Sequence, residues 1–100
     1  MLPAKIAELL SNMRAKTEAG ELIWNYDDNN TQVSIDLANF HISLEYSFNT
    51  IEEVGQFKVV YFDKSTNREH YFSTNQLYND YEVARRLFDS AQSSGLNIKF

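Results

Sequence analysis

The sequence predicts one α+β domain over residues 1–100: an N-terminal helix, an antiparallel sheet of about five strands and a C-terminal helix. Near both ends, apolar residues recur at intervals of three and four, which indicates amphipathic helices. Between them, apolar residues alternate with polar ones, which is typical of strands with one buried face. The segments joining these strands are short, so we expect an antiparallel sheet with both helices packed on its apolar face.

The first helix is predicted over residues 3 to 19. Pro3 suits a first helical turn, where its missing N–H costs nothing, and Gly20 suits the position just past the end. One face of this helix carries the apolar residues and a threonine: Leu2, Ile6, Leu9, Leu10, Met13 and Thr17.

The strands begin after Gly20, where the apolar period changes from 3.6 to 2. The first strand is predicted around Leu22, Trp24 and Tyr26, and a polar turn follows at residues 27–30. Two apolar–polar alternations then cover residues 31–48. They predict either two strands with a turn near residue 38 or one long bent strand, and the pattern alone does not decide between them.

A connection at residues 49–55 precedes a strand at residues 57–62, which is apolar on both faces. A turn at residues 63–67 and a short strand at residues 68–72 complete the predicted sheet.

The second helix is predicted over residues 75 to 93. Ser73 and Gln76 have the spacing of a capping box, and Gly95 lies where the helix should end. The tail alternates apolar and polar residues, which favours a short edge strand or a frayed end. The predicted buried stripe of this helix is Leu77, Tyr81, Ala84, Phe88 and Ala91, and the alternating apolar residues of the tail are Leu96, Ile98 and Phe100.

From both stripes and the strand pattern we expect ten side chains to be buried. These are Leu9, Met13, Trp24, Ile35, Ile42, Leu44, Val59, Tyr81, Ala84 and Phe88.

Three short motifs together resemble a known set of proteins. They are a T-x-x-G-x-L-x-W stretch from Thr17 to Trp24, Leu77-Tyr78, and Ala84-Arg85-Arg86. The chain is similar in these motifs to a broad set of small uncharacterised bacterial and prophage-associated proteins. It departs from them after Gly95, where they continue as a longer leucine-rich helix. The resemblance implies the architecture and a bacterial or phage accessory role, and it carries no activity over.

Composition and charge argue against several functional classes. There is no cysteine, so thiolate chemistry and cysteine-based metal sites are excluded. The net charge of -5 comes from 14 acidic and 9 basic residues, whereas nucleic-acid-binding proteins normally carry a basic surface. No stretch has the ~20 apolar residues of a membrane helix, and no signal peptide is recognisable, so we expect a cytoplasmic protein without membrane or nucleic-acid partners.

The side chains that could support catalysis are few. His41, Ser43 and Glu45 project from one face of a strand, but a flat sheet offers no oxyanion hole and no concave site. The segment from Asp28 to Gln32 resembles the start of a calcium loop, but the glycine and the bidentate glutamate of such loops are missing. The sequence therefore predicts a protein that is not an enzyme and that holds no metal or cofactor.

The adjacent basic pair Arg85-Arg86 flanks the buried stripe of the second predicted helix. We expect these guanidinium groups to pair with Glu82 or Asp89 at helical spacing.

The favoured function is a small protein-binding module of the inhibitor, immunity or anti-defence type, which masks the surface of another protein. Apolar side chains beside polar ones on a strand face are typical of an interface. The predicted partner-binding residues are Val60, Phe62, His41, Asp36 and Glu45.

An alternative is a regulatory domain that holds a small ligand between the sheet and a helix. Its predicted lining is Trp24, Tyr46, Tyr61 and Tyr81. A homodimer through an edge strand is a further expectation.

Overall fold

The structure, a computed structural model, describes residues 1–95. It is an α+β fold in which each strand pairs antiparallel with the next, so the sheet order is β1-β2-β3-β4-β5. The predicted fold class is confirmed, whereas the edge strand or frayed end predicted for the tail at residues 96–100 lies outside the described residues. The elements are α1 (Ala4–Glu18), β1 (Asn25–Asp27), β2 (Gln32–Asp36), β3 (Phe40–Asn49), β4 (Val54–Asp63), β5 (Arg68–Asn75) and α2 (Tyr81–Ser93).

One face of the sheet is covered by both helices. Successive strand residues point to opposite faces, so the alternating pattern divides the side chains into a buried set and an uncovered set. Side chains from α1, α2 and the covered face form one hydrophobic core, and α1 also packs along α2. The buried residues of this core include Leu10, Met13, Val33, Ile42, Leu44, Phe57, Val59, Ala84, Leu87 and Phe88.

The first helix ends at a glycine, as predicted. Gly20 has φ +81°, a left-handed conformation that residues with a Cβ rarely adopt. Its N–H donates to the carbonyl of Thr17 at 3.1 Å, and the N–H of Glu21 donates to the carbonyl of Lys16 at 2.9 Å. These two hydrogen bonds form a Schellman motif, which satisfies carbonyls that the helix end would otherwise leave without partners.

Three of the four hairpin turns begin with a short polar side chain that accepts a backbone N–H group. Asp27 accepts from the N–H of Asn29, Asn49 from that of Ile51, and Asp63 from that of Ser65. Such side chains imitate a backbone turn, so they favour a reversal of the chain at these points.

Residues 31–48 form two strands, β2 and β3. The N–H of Leu37 donates to the carbonyl of Phe40 at 2.9 Å, which closes a tight turn between them. The first strand is shorter than predicted: β1 begins at Asn25, so Leu22 and Trp24 precede it. Trp24 is nevertheless buried, and its indole N–H donates to the hydroxyl of Thr17 inside the core.

The predicted start of the second helix is wrong. Ser73 belongs to β5, where it pairs with Lys58 of β4, and the helix begins eight residues later at Tyr81. Ser73 and its neighbours in β5 make backbone hydrogen bonds to β4, a central strand, and these bonds outweigh the local helix-capping pattern. Leu77, predicted as the first residue of the buried stripe, lies in the connection and is 73% exposed.

The carboxylate of Asp80 organises this connection. It accepts a hydrogen bond from the hydroxyl of Thr74 at the end of β5 and another, 2.6 Å long, from the N–H of Leu2. The residue before α2 therefore links the last strand to the segment that precedes α1.

Eight of the ten side chains predicted to be buried are buried, while Leu9 and Tyr81 are half-buried against the core. Tyr81 is accommodated by a glycine on β4. A Cβ at Gly55 would lie 2.7 Å from the hydroxyl of Tyr46 and 3.1 Å from that of Tyr81. The absence of a side chain there lets both tyrosine rings cross the strand closely.

Candidate functional site

The candidate site is the sheet face that the helices leave uncovered, which we call the open face. Its members follow from the register, because residues paired across neighbouring strands share a face. On β2 to β5 they are Gln32, Ser34, Asp36, His41, Ser43, Glu45, Ser47, Asn49, Val54, Gln56, Lys58, Val60, Phe62, Glu69, Tyr71, Ser73 and Asn75.

All five predicted partner-binding residues lie on the open face. His41 pairs with Asp36 on one side and with Phe62 on the other, so these three form one cross-strand row. Val60 precedes Phe62 by two positions on β4, and Glu45 lies two positions beyond Ser43, the partner of Val60. Val60 and Phe62 are half-buried, so both side chains still expose part of their surface to solvent.

The most exposed aromatic side chain of the open face was missed by sequence reasoning. Tyr71 is 61% exposed and lies directly opposite Val60. Its ring is 5.5 Å from the ammonium of Lys58, and its hydroxyl donates to Glu69 at 2.7 Å. This hydrogen bond raises the pKa of Tyr71 above its ordinary value.

Tyr71 could have been found from the alternation within residues 68–72. That pattern puts Glu69 and Tyr71 on one face and His70 and Phe72 on the other, but it gives no sign of which face is covered. Only the pairing of β5 with β4 resolves this, since it places Tyr71 beside Val60.

A shallow depression occupies the middle of the open face. Its volume is about 350 Å³. Acidic, basic, aromatic and aliphatic side chains all contribute to it, so its surface is chemically mixed. The lining consists of Gln32, His41, Ser43, Glu45, Lys58, Val60, Glu69 and Tyr71.

One corner of the open face carries a small charge network. The Lys64 ammonium lies 2.9 Å from an Asp36 oxygen, and the Nδ1 atom of His41 lies 3.3 Å from the same oxygen. The hydrogen bond from Lys64, with a smaller contribution from His41, lowers the pKa of Asp36. The network joins the turn after β4 to β2 and β3, because Lys64 also donates to the carbonyl of Leu37 at 2.7 Å.

Of the aromatic residues predicted to line an internal pocket, Trp24 belongs to the core and the three tyrosines pack against it. Tyr46 and Tyr81 both contact Phe57, with ring centroids 5.3 and 5.4 Å apart. Tyr61 packs against Phe40 at 5.2 Å, and Trp24 is only 3% exposed. The region between the sheet and α2 is therefore filled by rings at these positions.

A second concavity lies beside α1. It is a largely apolar groove of about 470 Å³ between α1 and the turn that joins β2 to β3. Its apolar lining is Leu9, Met13, Leu22, Leu37 and Phe40.

Within residues 1–95, no group of three or more histidine, aspartate and glutamate side chains is arranged to hold a metal ion. No helix of this part of the chain is long and apolar enough to cross a membrane. Comparison with protein-family models, with curated protein sequences and with solved structures gave no match. A functional assignment therefore depends on the geometry of the surface itself.

Proposed function

We propose that this chain is a non-catalytic protein-binding module that masks a partner's surface with its open face. The observation that supports this most directly is the contiguous group of Val60, Phe62 and Tyr71, whose neighbours on the open face are mostly polar. Val60 and Tyr71 are opposite one another on paired strands, and Phe62 is the next residue of β4 on the same face.

This arrangement has the composition of an interface. Protein interfaces concentrate binding energy in a few aromatic or apolar anchors, and polar residues around them exclude water. Tyr71 is well suited to be such an anchor, because it combines a large exposed ring with a hydroxyl held in place by Glu69. Val60 and Phe62 lie on β4, a ten-residue strand with a paired neighbour on each side, so little backbone entropy is lost there on binding.

The charge of the chain favours a partner with a basic surface. With a net charge of -5, the protein attracts a positively charged partner over long range and accelerates their association. An inhibitor, immunity or anti-defence protein in the cytoplasm of a bacterium, of bacterial or prophage origin, fits this mode of action.

Site-specific photo-crosslinking tests the proposal. A photoreactive phenylalanine analogue replaces Tyr71 in one variant and Glu8, an exposed residue of α1, in the control. We expect one protein to become cross-linked at position 71 in stoichiometric amount and not at position 8. Equal cross-linking at both positions, or none at position 71, would contradict the assignment of the open face.

The groove beside α1 supports the second candidate, a small-ligand or regulatory domain. An apolar concavity with lysine and asparagine at its rim could enclose part of an apolar metabolite. Native mass spectrometry distinguishes the two candidates, because a ligand retained by the wild-type chain and lost in Phe40→Ala would favour the groove.

The predicted homodimer would form through β5, the longer of the two edge strands. Part of this edge is occupied, because the Met1 amino group donates to the carbonyl of Ser73 at 2.9 Å. Light scattering at several protein concentrations tests whether the dimer forms. A monomer at all concentrations would not contradict binding through the open face.

A further inference from the structure

A depression between the two helices lies on the opposite side of the sheet from the open face. Its volume is about 270 Å³. Two arginines line it, Arg14 from α1 and Arg86 from α2, together with Ser11, Glu82 and Val83. The helices thus bring two guanidinium groups to one concave site in a chain that is acidic overall.

Glu82, the carboxylate of this depression, is paired with a third arginine. The Nε atom of Arg85 lies 3.1 Å from each Glu82 oxygen, and its Nη2 atom lies 2.8 Å from one of them. Arg85 also donates to Asp89 at 2.9 Å. The predicted pairing of Arg85 with these two acids is therefore confirmed, and the hydrogen bond to Arg85 lowers the pKa of Glu82.

Arg86 and Arg14 are held much more loosely. The Nε atom of Arg86 is 4.0 Å from Glu82, and that of Arg14 is 3.6 Å from Glu18, and both distances are too long for a hydrogen bond. The adjacent arginines of α2 thus differ: Arg85 is bound by two carboxylates, whereas the N–H groups of Arg86 remain available to a ligand in the depression.

We propose that Arg14, Arg86 and the hydroxyl of Ser11 form a binding site for a phosphate group. A guanidinium presents its donors in a planar fork that matches the oxygens of a phosphate, and a dianion interacts with two such groups at once. The bidentate pairing of Glu82 with Arg85 reduces the repulsion that this carboxylate would otherwise exert on the ligand. The site is independent of the proposed protein-binding face.

Titration with inorganic phosphate, followed by NMR through the Nε–Hε signals of the arginines, tests this proposal. We expect the chemical shifts of Arg14 and Arg86 to change and to saturate, and those of Arg85 to change less. Acetate, which carries one charge, should bind more weakly than phosphate. Arg14→Gln or Arg86→Gln should each weaken phosphate binding about fivefold, the upper range for an exposed charge pair. Lys5→Gln, which removes one charge from α1 away from the depression, should leave the affinity unchanged.

Three outcomes would overturn the site. These are linear shifts without saturation, equal shifts for Arg85 and Arg86, and equal affinity for acetate and phosphate at the same ionic strength. The wild-type titration decides the question even if a variant does not fold, because the signals of Arg14 and Arg86 report on their own contacts.

Discussion

The indole N–H of Trp24 donates to the hydroxyl of Thr17 at 2.9 Å, inside the core. Thr17 in turn donates to the carbonyl of Met13 at 2.7 Å, so its hydroxyl is both donor and acceptor. The backbone N–H of Trp24 donates to Ser94, just past the end of α2, at 2.8 Å. Trp24 therefore links the last turn of α1 and the end of α2 to the first strand.

Replacing Thr17 with valine should destabilise the protein although the side-chain volume is almost unchanged. The indole N–H would be left buried without a partner, at a cost of ~1 to 3 kcal/mol. Urea denaturation measures this loss. Thr17→Ser is the matched control, because it keeps the hydroxyl and should retain most of the stability that valine loses. Equal stability of the two variants would show that the hydrogen bond is unimportant.

Phe88 is a central packing residue of α2. It is 6% exposed, and its ring lies 5.4 Å from that of Phe57. Phe88→Ala should lower the free energy of unfolding by ~3 to 5 kcal/mol, because it removes a large buried ring and leaves a cavity. In the same denaturation assay, Phe48→Ala should change stability by less than ~0.5 kcal/mol, since Phe48 is 55% exposed. Similar losses in both variants would contradict the described core.

Asp80 is expected to contribute more to stability than Ser73, the residue that the sequence pattern favoured as a helix cap. Asp80→Ala removes the hydrogen bonds from Thr74 and from the N–H of Leu2, and leaves the nearly buried Thr74 hydroxyl without that acceptor. The expected cost is ~1 to 3 kcal/mol. Ser73→Ala should cost less, because this side chain is exposed on β5. Thermal unfolding of both variants provides the comparison, and a larger loss for Ser73→Ala would contradict the role described for Asp80.

The sequence predicts those features of the fold that depend on residues close together in the chain, and it does not predict those that depend on pairing between strands. The Schellman end at Gly20 and the polar hairpin turns follow from residues next to one another, and both were predictable. The start of α2 was not, because Ser73 has a local helix-capping pattern but pairs with Lys58 of β4. The exposure of Tyr71 was hidden for the same reason, since pairing across the sheet determines which face of β5 is covered.

The charge network at Asp36 predicts a specific pH dependence. Lys64, and to a smaller extent His41, stabilises the ionised carboxylate in the folded state, so the pKa of Asp36 lies below its unfolded value. Its contribution to stability is complete above about pH 4, the usual pKa of an aspartate, and is lost as the pH falls through the lower folded pKa. NMR titration of the Asp36 carboxyl measures this value directly.

Lys64→Ala should raise the pKa of Asp36 towards its usual value, and His41→Ala should raise it less. An Asp36 carboxyl that titrates identically in the wild type and in Lys64→Ala would show that the ion pair does not form in solution.

The most direct test of the open face measures how its anchors contribute to binding of the protein that cross-links at position 71. By calorimetry, Tyr71→Ala and Phe62→Ala should each weaken binding by ~2 kcal/mol or more, about thirtyfold in affinity. Asp36→Ala should have little effect because its charge is at the corner of the face. Tyr78→Ala removes an exposed tyrosine from the connection before α2 and should leave the affinity unchanged. Unchanged affinity in both Tyr71→Ala and Phe62→Ala, or an equal loss in Tyr78→Ala, would contradict binding through the open face.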